Sequence, residues 1–184
     1  MVDQYPAHVK APGATWLPLG AAWGIRRGLS GAGNVIRGCI MELAFEQGPI
    51  RPPSEAASLL LRLTRNCPWN RCGFCTTYRG QTFSRRSVAE IKKDIDTVAE
   101  ICEEVRRISR QWGHGGQVSR EVLAKIYQSR RHQLFHVASW LYHGGQTVFF
   151  QDANSMIMKT ADLLEILNYL GKRLPSVERV TSYA

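Results

Sequence analysis

The sequence predicts an α/β fold built on a parallel sheet, and three observations carry that prediction. Short strand-like runs at residues 58–63, 147–150 and 177–183 are separated by segments of helical period. Between the first two runs, Val88, Ile91, Ile95, Val98, Ile101 and Val105 recur at helical spacing. Between the last two, Leu163, Leu164, Ile166, Leu167 and Leu170 form an apolar side. Strand, helix, strand, helix, strand specifies βαβ units, because each crossover helix returns the chain to the end of the sheet where the previous strand began.

Residues 1–53 hold six of the eight prolines and eight of the sixteen glycines, so no helical or strand period runs far there. They are read as an irregular Pro/Gly-rich leader preceding a domain at 54–184. Trp16, Leu17, Trp23 and Ile25 are its candidate packing residues. Met41 offers a second start, which would leave the first forty residues outside the functional protein.

The run Ser58-Leu59-Leu60-Leu61-Arg62-Leu63 follows Pro52-Pro53 and has the length and apolarity of a strand buried on both faces. Leu is a modest strand former, so a helix stays open there. Ser87-Val88-Ala89-Glu90 is a capping box that opens a long helix at about 88–110, and Gly113-His114-Gly115-Gly116 stops it. Two further helices are expected at about 119–129 and 131–142, ending at Gly144-Gly145. After the second strand comes a polar turn, Gln151-Asp152-Ala153-Asn154-Ser155, then a helix starting near Thr160 and ended by Pro175. The third strand has no helix after it, so one sheet face would lie uncovered, and the natural domain is expected to continue past Ala184.

The formal charge is +9, from 24 Lys and Arg against 15 Asp and Glu. The basic residues are scattered in pairs such as Arg26-Arg27, Arg85-Arg86, Arg106-Arg107 and Arg130-Arg131, the pattern of a generally basic surface; nucleic acid stays open as a partner. No apolar run has the length of a membrane span and no signal peptide is visible, so the expected location is the cytoplasm. Five cysteines, three of them within nine residues, suit thiolates gathered round a metal better than a disulfide framework.

Those three lie in Asn66-Cys67-Pro68-Trp69-Asn70-Arg71-Cys72-Gly73-Phe74-Cys75. Thiolates select zinc, copper(I) or iron–sulfur clusters over hard cations. With three ligands, one iron of a four-iron cluster is left open to a substrate or cofactor. The alternative is a non-catalytic zinc knuckle closed by a histidine, on a protein whose basic surface binds nucleic acid.

A strand, this cysteine nest, a long helix and a second strand with a polar end together resemble the radical S-adenosylmethionine superfamily. The resemblance covers residues 48–184 and is to a variant subgroup beginning Cys-Pro-Trp-Asn, since the spacing is four then two where the family commonly has three then two. It implies a partial parallel (β/α) barrel, truncated after its third strand and carrying extra helices between its first helix and second strand. It further implies that Cys67, Cys72 and Cys75 ligate a [4Fe–4S] cluster whose fourth iron binds S-adenosylmethionine. One-electron cleavage would then give methionine and a 5′-deoxyadenosyl radical that abstracts hydrogen from a substrate the sequence does not specify. The electron would come from a donor of the flavodoxin or ferredoxin kind. Where the family commonly has Gly-Gly-Glu for the methionine moiety, this chain has Gln151-Asp152-Ala153-Asn154, so Asp152 and Asn154 become the candidates there. Phe74 and Tyr78 are candidates to stack near the adenine, and Ser182 is a further candidate by position. The 184-residue chain is expected to bind the cluster without efficient turnover.

Plainer roles stand beside these. Phe74 and Tyr78 would pack the loop, Asp152 would cap a turn, and Arg65 and Arg79, which flank the nest, would be solvated. Cys102 is expected to be a small buried hydrophobe, and Cys39 no ligand. His132, His136 and His143 share a narrow arc of one helix, opposite Leu134, Val137 and Leu141, so that stripe is expected to face water.

Overall fold

A computed structural model of the chain describes residues 43–183. In order, the elements are β1 (Leu59–Arg62), β2 (Thr64–Arg65), β3 (Ser84–Arg85), α1 (Val88–Gln111), α2 (Arg120–Gln128), α3 (His132–Tyr142), β4 (Thr147–Gln151), α4 (Thr160–Arg173) and β5 (Arg179–Ser182). Short 3₁₀ turns lie at Pro53–Glu55 and Ser155–Ile157. Trp16, Leu17, Trp23, Ile25, Cys39 and Met41 lie outside the described residues.

The three strand-like runs form one parallel sheet in the order β1-β4-β5. Leu59 pairs with Val148 and Leu61 with Phe150; Val148 pairs in turn with Val180. Alternation puts Leu59, Leu61, Val148 and Phe150 on the face that packs with the helices, and Leu60, Phe149 and Gln151 on the other. All seven are buried, which is why β1 reads as a nearly continuous apolar run. Strand geometry prevails over the weak propensity of Leu because four residues, with β-branched and aromatic partners alongside, bury both faces at once.

Helix α1 begins as its sequence dictates. Ser87 Oγ accepts from the Glu90 amide at 3.2 Å, and Glu90 Oε2 accepts from the Ser87 amide at 2.8 Å. The buried stripe of α1 is Ile91, Ile95, Val98, Ile101, Cys102, Val105 and Ile108. The helix stops where Gly113 takes a φ of +82°, a conformation a side chain would resist. Ser87→Ala is expected to cost about 1 kcal/mol, read as a lower urea midpoint with an unchanged slope.

Two expectations about helix faces need correction. In α4, Ile166 and Leu170 are buried and Leu163 is half-buried, but Leu164 and Leu167 are exposed, so the apolar stripe is narrower than its composition suggested. In α3, His132 and His143 face outward as expected, whereas His136 is half-buried, its ring near Phe45. The reason is that the chain before β1 is packed against α3. Phe45 is 5% exposed and belongs to the same core as Ile91 and Leu134. The described residues before β1 therefore pack with the same core as the helices. Burial lowers the His136 pKa, and the nearby Arg51 charge lowers it further.

The outer face of the sheet is partly covered by this same incoming segment. Gln151 accepts from the Gly48 amide at 2.8 Å and donates to the Gly48 and Ile50 carbonyls at 3.2 and 2.5 Å. A strand side chain thus satisfies the backbone of a segment that has no ladder of its own. No described helix is long and apolar enough to cross a membrane.

Candidate metal centre at the strand ends

The cysteine loop leaves the C-terminal end of β1. Its base is an antiparallel ribbon, in which β2 pairs with β3 through Thr64–Arg85 and Arg65–Ser84. Asn66 Nδ2 ties across the base to the Thr82 carbonyl at 2.7 Å. Within the loop, Asn70 Nδ2 donates to the carbonyls of Tyr78 and Gln81 at 2.8 and 3.0 Å. Asn66 and Asn70 both sit at positive φ, 68° and 44°, a conformation that Asn tolerates better than most residues. Cys67, Cys72 and Cys75 are half-buried free thiols on this loop, and the Cys67 sulfur accepts from the Asn70 amide at 3.4 Å.

Beneath the ribbon lies a charge network that fixes its position. Asp152, fully buried one residue beyond β4, accepts from Arg62 Nη2 at 2.7 Å and from the Asn66 amide at 3.1 Å. It also accepts from the buried Tyr78 hydroxyl. One carboxylate therefore joins β1, both limbs of the loop and the end of β4. Burial pushes its pKa up, while Arg62 and the Asn66 amide pull the other way.

Glu46 gathers Arg62, Arg65 and Arg86 at 3.0, 2.6 and 3.3 Å. Arg86, nearly buried, also holds Asp94 of α1 at 2.6 Å and donates to the Arg62 carbonyl at 2.7 Å. Arg65 bridges onward to Glu90 at 2.9 Å, so its charge is committed to carboxylates instead of standing free beside the thiols. Arg79 donates to the Gly73 carbonyl at 3.3 Å.

Hydrogen bonds from the Ser87 amide and then from Arg65 hold the Glu90 pKa at about 2, and Arg65 lowers that of Glu46. A carboxyl whose pKa is lower in the fold stabilises it above the unfolded value of 4.5 and loses that contribution as pH falls toward about 2. Stability is therefore expected to decline across that interval, and Glu90→Gln to flatten the decline. Glu90 is half exposed, so its share is at most about 1 kcal/mol. Urea midpoints of both proteins across the interval check this.

Of the candidate residues, the structure brings Tyr78 and Asp152 together. Tyr78 is buried and spends its hydroxyl on Asp152, and the Asp152 oxygens are taken up by protein donors. Phe74 is 90% exposed and Trp69 is 65% exposed. Asn154 has a buried Oδ1 with no hydrogen-bond partner among the described residues. Ser182, the last residue of β5, donates to the Tyr183 carbonyl at 2.7 Å. Cys102 is buried in α1, and burial pushes its thiol up to about 11, the behaviour of a packing residue.

Sequence reasoning missed Glu46, Arg62, Arg86 and Asp94. Two of them left a signal: Arg62 interrupts an apolar strand, and Asp94 sits on the apolar arc of α1 between Ile91 and Ile95. A charge at a core position has to be paired. Compared with protein-family models, with curated proteins and with solved structures, the chain matches none.

Proposed function

We propose that Cys67, Cys72 and Cys75 hold a [4Fe–4S] cluster and that the protein is a radical enzyme of the S-adenosylmethionine type. In this reading the three-stranded parallel sheet is the opening part of a (β/α) barrel. The observation that carries it is one of placement. The three thiols lie on the loop leaving the C-terminal end of β1, next to the C-terminal end of β4, and parallel α/β sheets bind ligands at that end.

The donor chemistry fits the group: three soft ligands on one loop, with no nearby fourth cysteine. Among the described residues no three Cys, His, Asp or Glu side chains already stand close enough to hold a metal ion. Residues 66–83 contain no helix or strand that would oppose gathering the thiols. When bound, such a cluster supplies the electron that cleaves the carbon–sulfur bond of S-adenosylmethionine, the source of a hydrogen-abstracting radical.

The chain's own residues take the remaining roles. Asp152, Arg62 and Tyr78 position the loop and are not free to hold a ligand. The acceptor for a ligand ammonium at the end of β4 is then Asn154, whose buried Oδ1 lacks a partner among the described residues. Phe74, exposed on the loop, is placed to stack on a planar group. Ser182, the last residue of β5, stands at the same C-terminal end of the sheet.

Anaerobic reconstitution followed by a count of iron, sulfide and zinc tests the reading. About four irons and four sulfides per chain support it. One zinc and no sulfide would replace it with a metal-stabilised binding module, whose nucleic-acid affinity should then fall steeply with salt.

A further inference from the structure

Residues 56–89 contain six arginines and no Asp or Glu. Three of the six, Arg62, Arg65 and Arg86, are spent on Asp152, Glu46, Glu90 and Asp94 beneath the cysteine loop. The other three, Arg71, Arg79 and Arg85, are exposed and form no ion pair among the described residues. Trp69 on the same loop is 65% exposed, although folding buries Trp heavily on average. We propose that the tip of the cysteine loop binds single-stranded nucleic acid, with Trp69 stacked on a base and Arg71 and Arg79 on phosphates.

Hydrogen bonds join these side chains into one surface. The Arg71 guanidinium lies over the Trp69 ring, 5.8 Å from its centroid. Asn70, between them, donates to the carbonyls of Tyr78 and Gln81 at 2.8 and 3.0 Å, which sets Trp69-Asn70-Arg71 beside the limb that carries Arg79. Arg79 in turn donates to the Gly73 carbonyl at 3.3 Å. The guanidinium steadies one face of the indole, and enough of the ring is open for a base to take the other.

Cation and ring together select the partner. Phosphates pair with guanidiniums and every base has a face that stacks, so a single strand uses both groups at once. A duplex keeps its bases stacked on one another and would leave Trp69 in water. An acidic protein surface would pair with the arginines and leave the indole unused. A bilayer is disfavoured because residues 66–82 hold no Leu, Ile, Val or Met to enter the acyl region. Since the thiols stand on the same loop, the strand would be the substrate of the radical enzyme proposed above, and in that respect the inference rests on that reading. Binding itself needs only the side chains named here.

The test is fluorescence anisotropy of labelled oligouridylate and oligothymidylate with the reconstituted full chain, its iron counted in the same preparation. Saturable binding is expected, tighter than to a duplex of the same length and displaced by unlabelled strand but not by polyglutamate or phosphatidylglycerol vesicles. The tighter of the two strands says whether RNA or DNA is preferred. Trp69→Ala should weaken binding about tenfold, the loss of one stacked base. Its exposure means that the core does not depend on it. Arg71→Gln and Arg79→Gln should each reduce the steepness of log K against log salt by about 0.7, one phosphate contact on a single strand. Arg120→Gln, which removes an exposed charge on α2, should change neither quantity. No saturable binding, a duplex bound as tightly, displacement by polyglutamate or by the vesicles, or loop variants that bind like wild type would overturn the proposal. Iron without binding removes this inference alone, whereas binding that Trp69→Ala weakens in a protein without iron keeps it and removes the radical reading.

Discussion

If the three thiols hold the proposed cluster, replacing Cys67, Cys72 and Cys75 together by Ala is expected to abolish iron and sulfide uptake, from about four of each to none, and to leave the fold in place. The second half of that expectation makes the first informative. The three thiols are half-buried on a loop outside the hydrophobic core, and substitutions in such places usually change stability by about 0.5 kcal/mol or less. Lost iron then reports lost ligands and not lost structure. Cys102→Ala is the control, a buried α1 thiol whose removal costs some packing but no iron. Iron and sulfide retained by the triple variant, with circular dichroism unchanged, would remove the loop from the metal chemistry altogether.

Asp152→Ala is expected to have the largest effect on stability, about 3 kcal/mol, because it removes the fully buried partner of the Arg62 guanidinium and leaves it only the partly exposed Glu46. It also deprives the Asn66 amide and the Tyr78 hydroxyl of their common acceptor. Those two groups sit at opposite limbs of the cysteine loop, so the loss spreads from the ion pair to the loop. Cluster content should therefore fall with stability even though no thiol is touched. Pairing the change with Arg62→Met should recover much of the loss, since removing both members of a buried pair costs far less than removing one. Urea unfolding of the two single variants and the double variant separates these terms. A single Asp152→Ala variant within about 1 kcal/mol of wild type would show that the carboxylate does not anchor the loop.

Much of the fold was legible along the chain. The capping box at Ser87 and Glu90 and the stripe from Ile91 to Val105 needed only neighbours three and four residues away, and α1 begins where they place it. The parallel sheet followed from the alternation of strand and helix, and β5 is shorter than the run at 177–183 that predicted it. The ribbon of β2 and β3 was not legible, since two-residue strands leave no period to read. His136 escaped as well. Its helical arc was read correctly, but what lies against that arc is the segment around Phe45, from nearly a hundred positions earlier.

By itself the sequence determined the order and type of the main elements and the identity of the three clustered thiols, because periodicity, caps and ligand spacing are short-range properties of a chain. Tertiary structure alone decided which charges meet. Glu46, Arg62, Arg86, Asp94 and Asp152 come from five separate stretches, and only the folded sheet brings them beneath one loop. It also decided that Asp152 is spent on the protein while Asn154 keeps a free acceptor among the described residues. The physical reason is that a buried charge takes whichever partner the packed core sets within reach, and sequence distance carries no information about that reach.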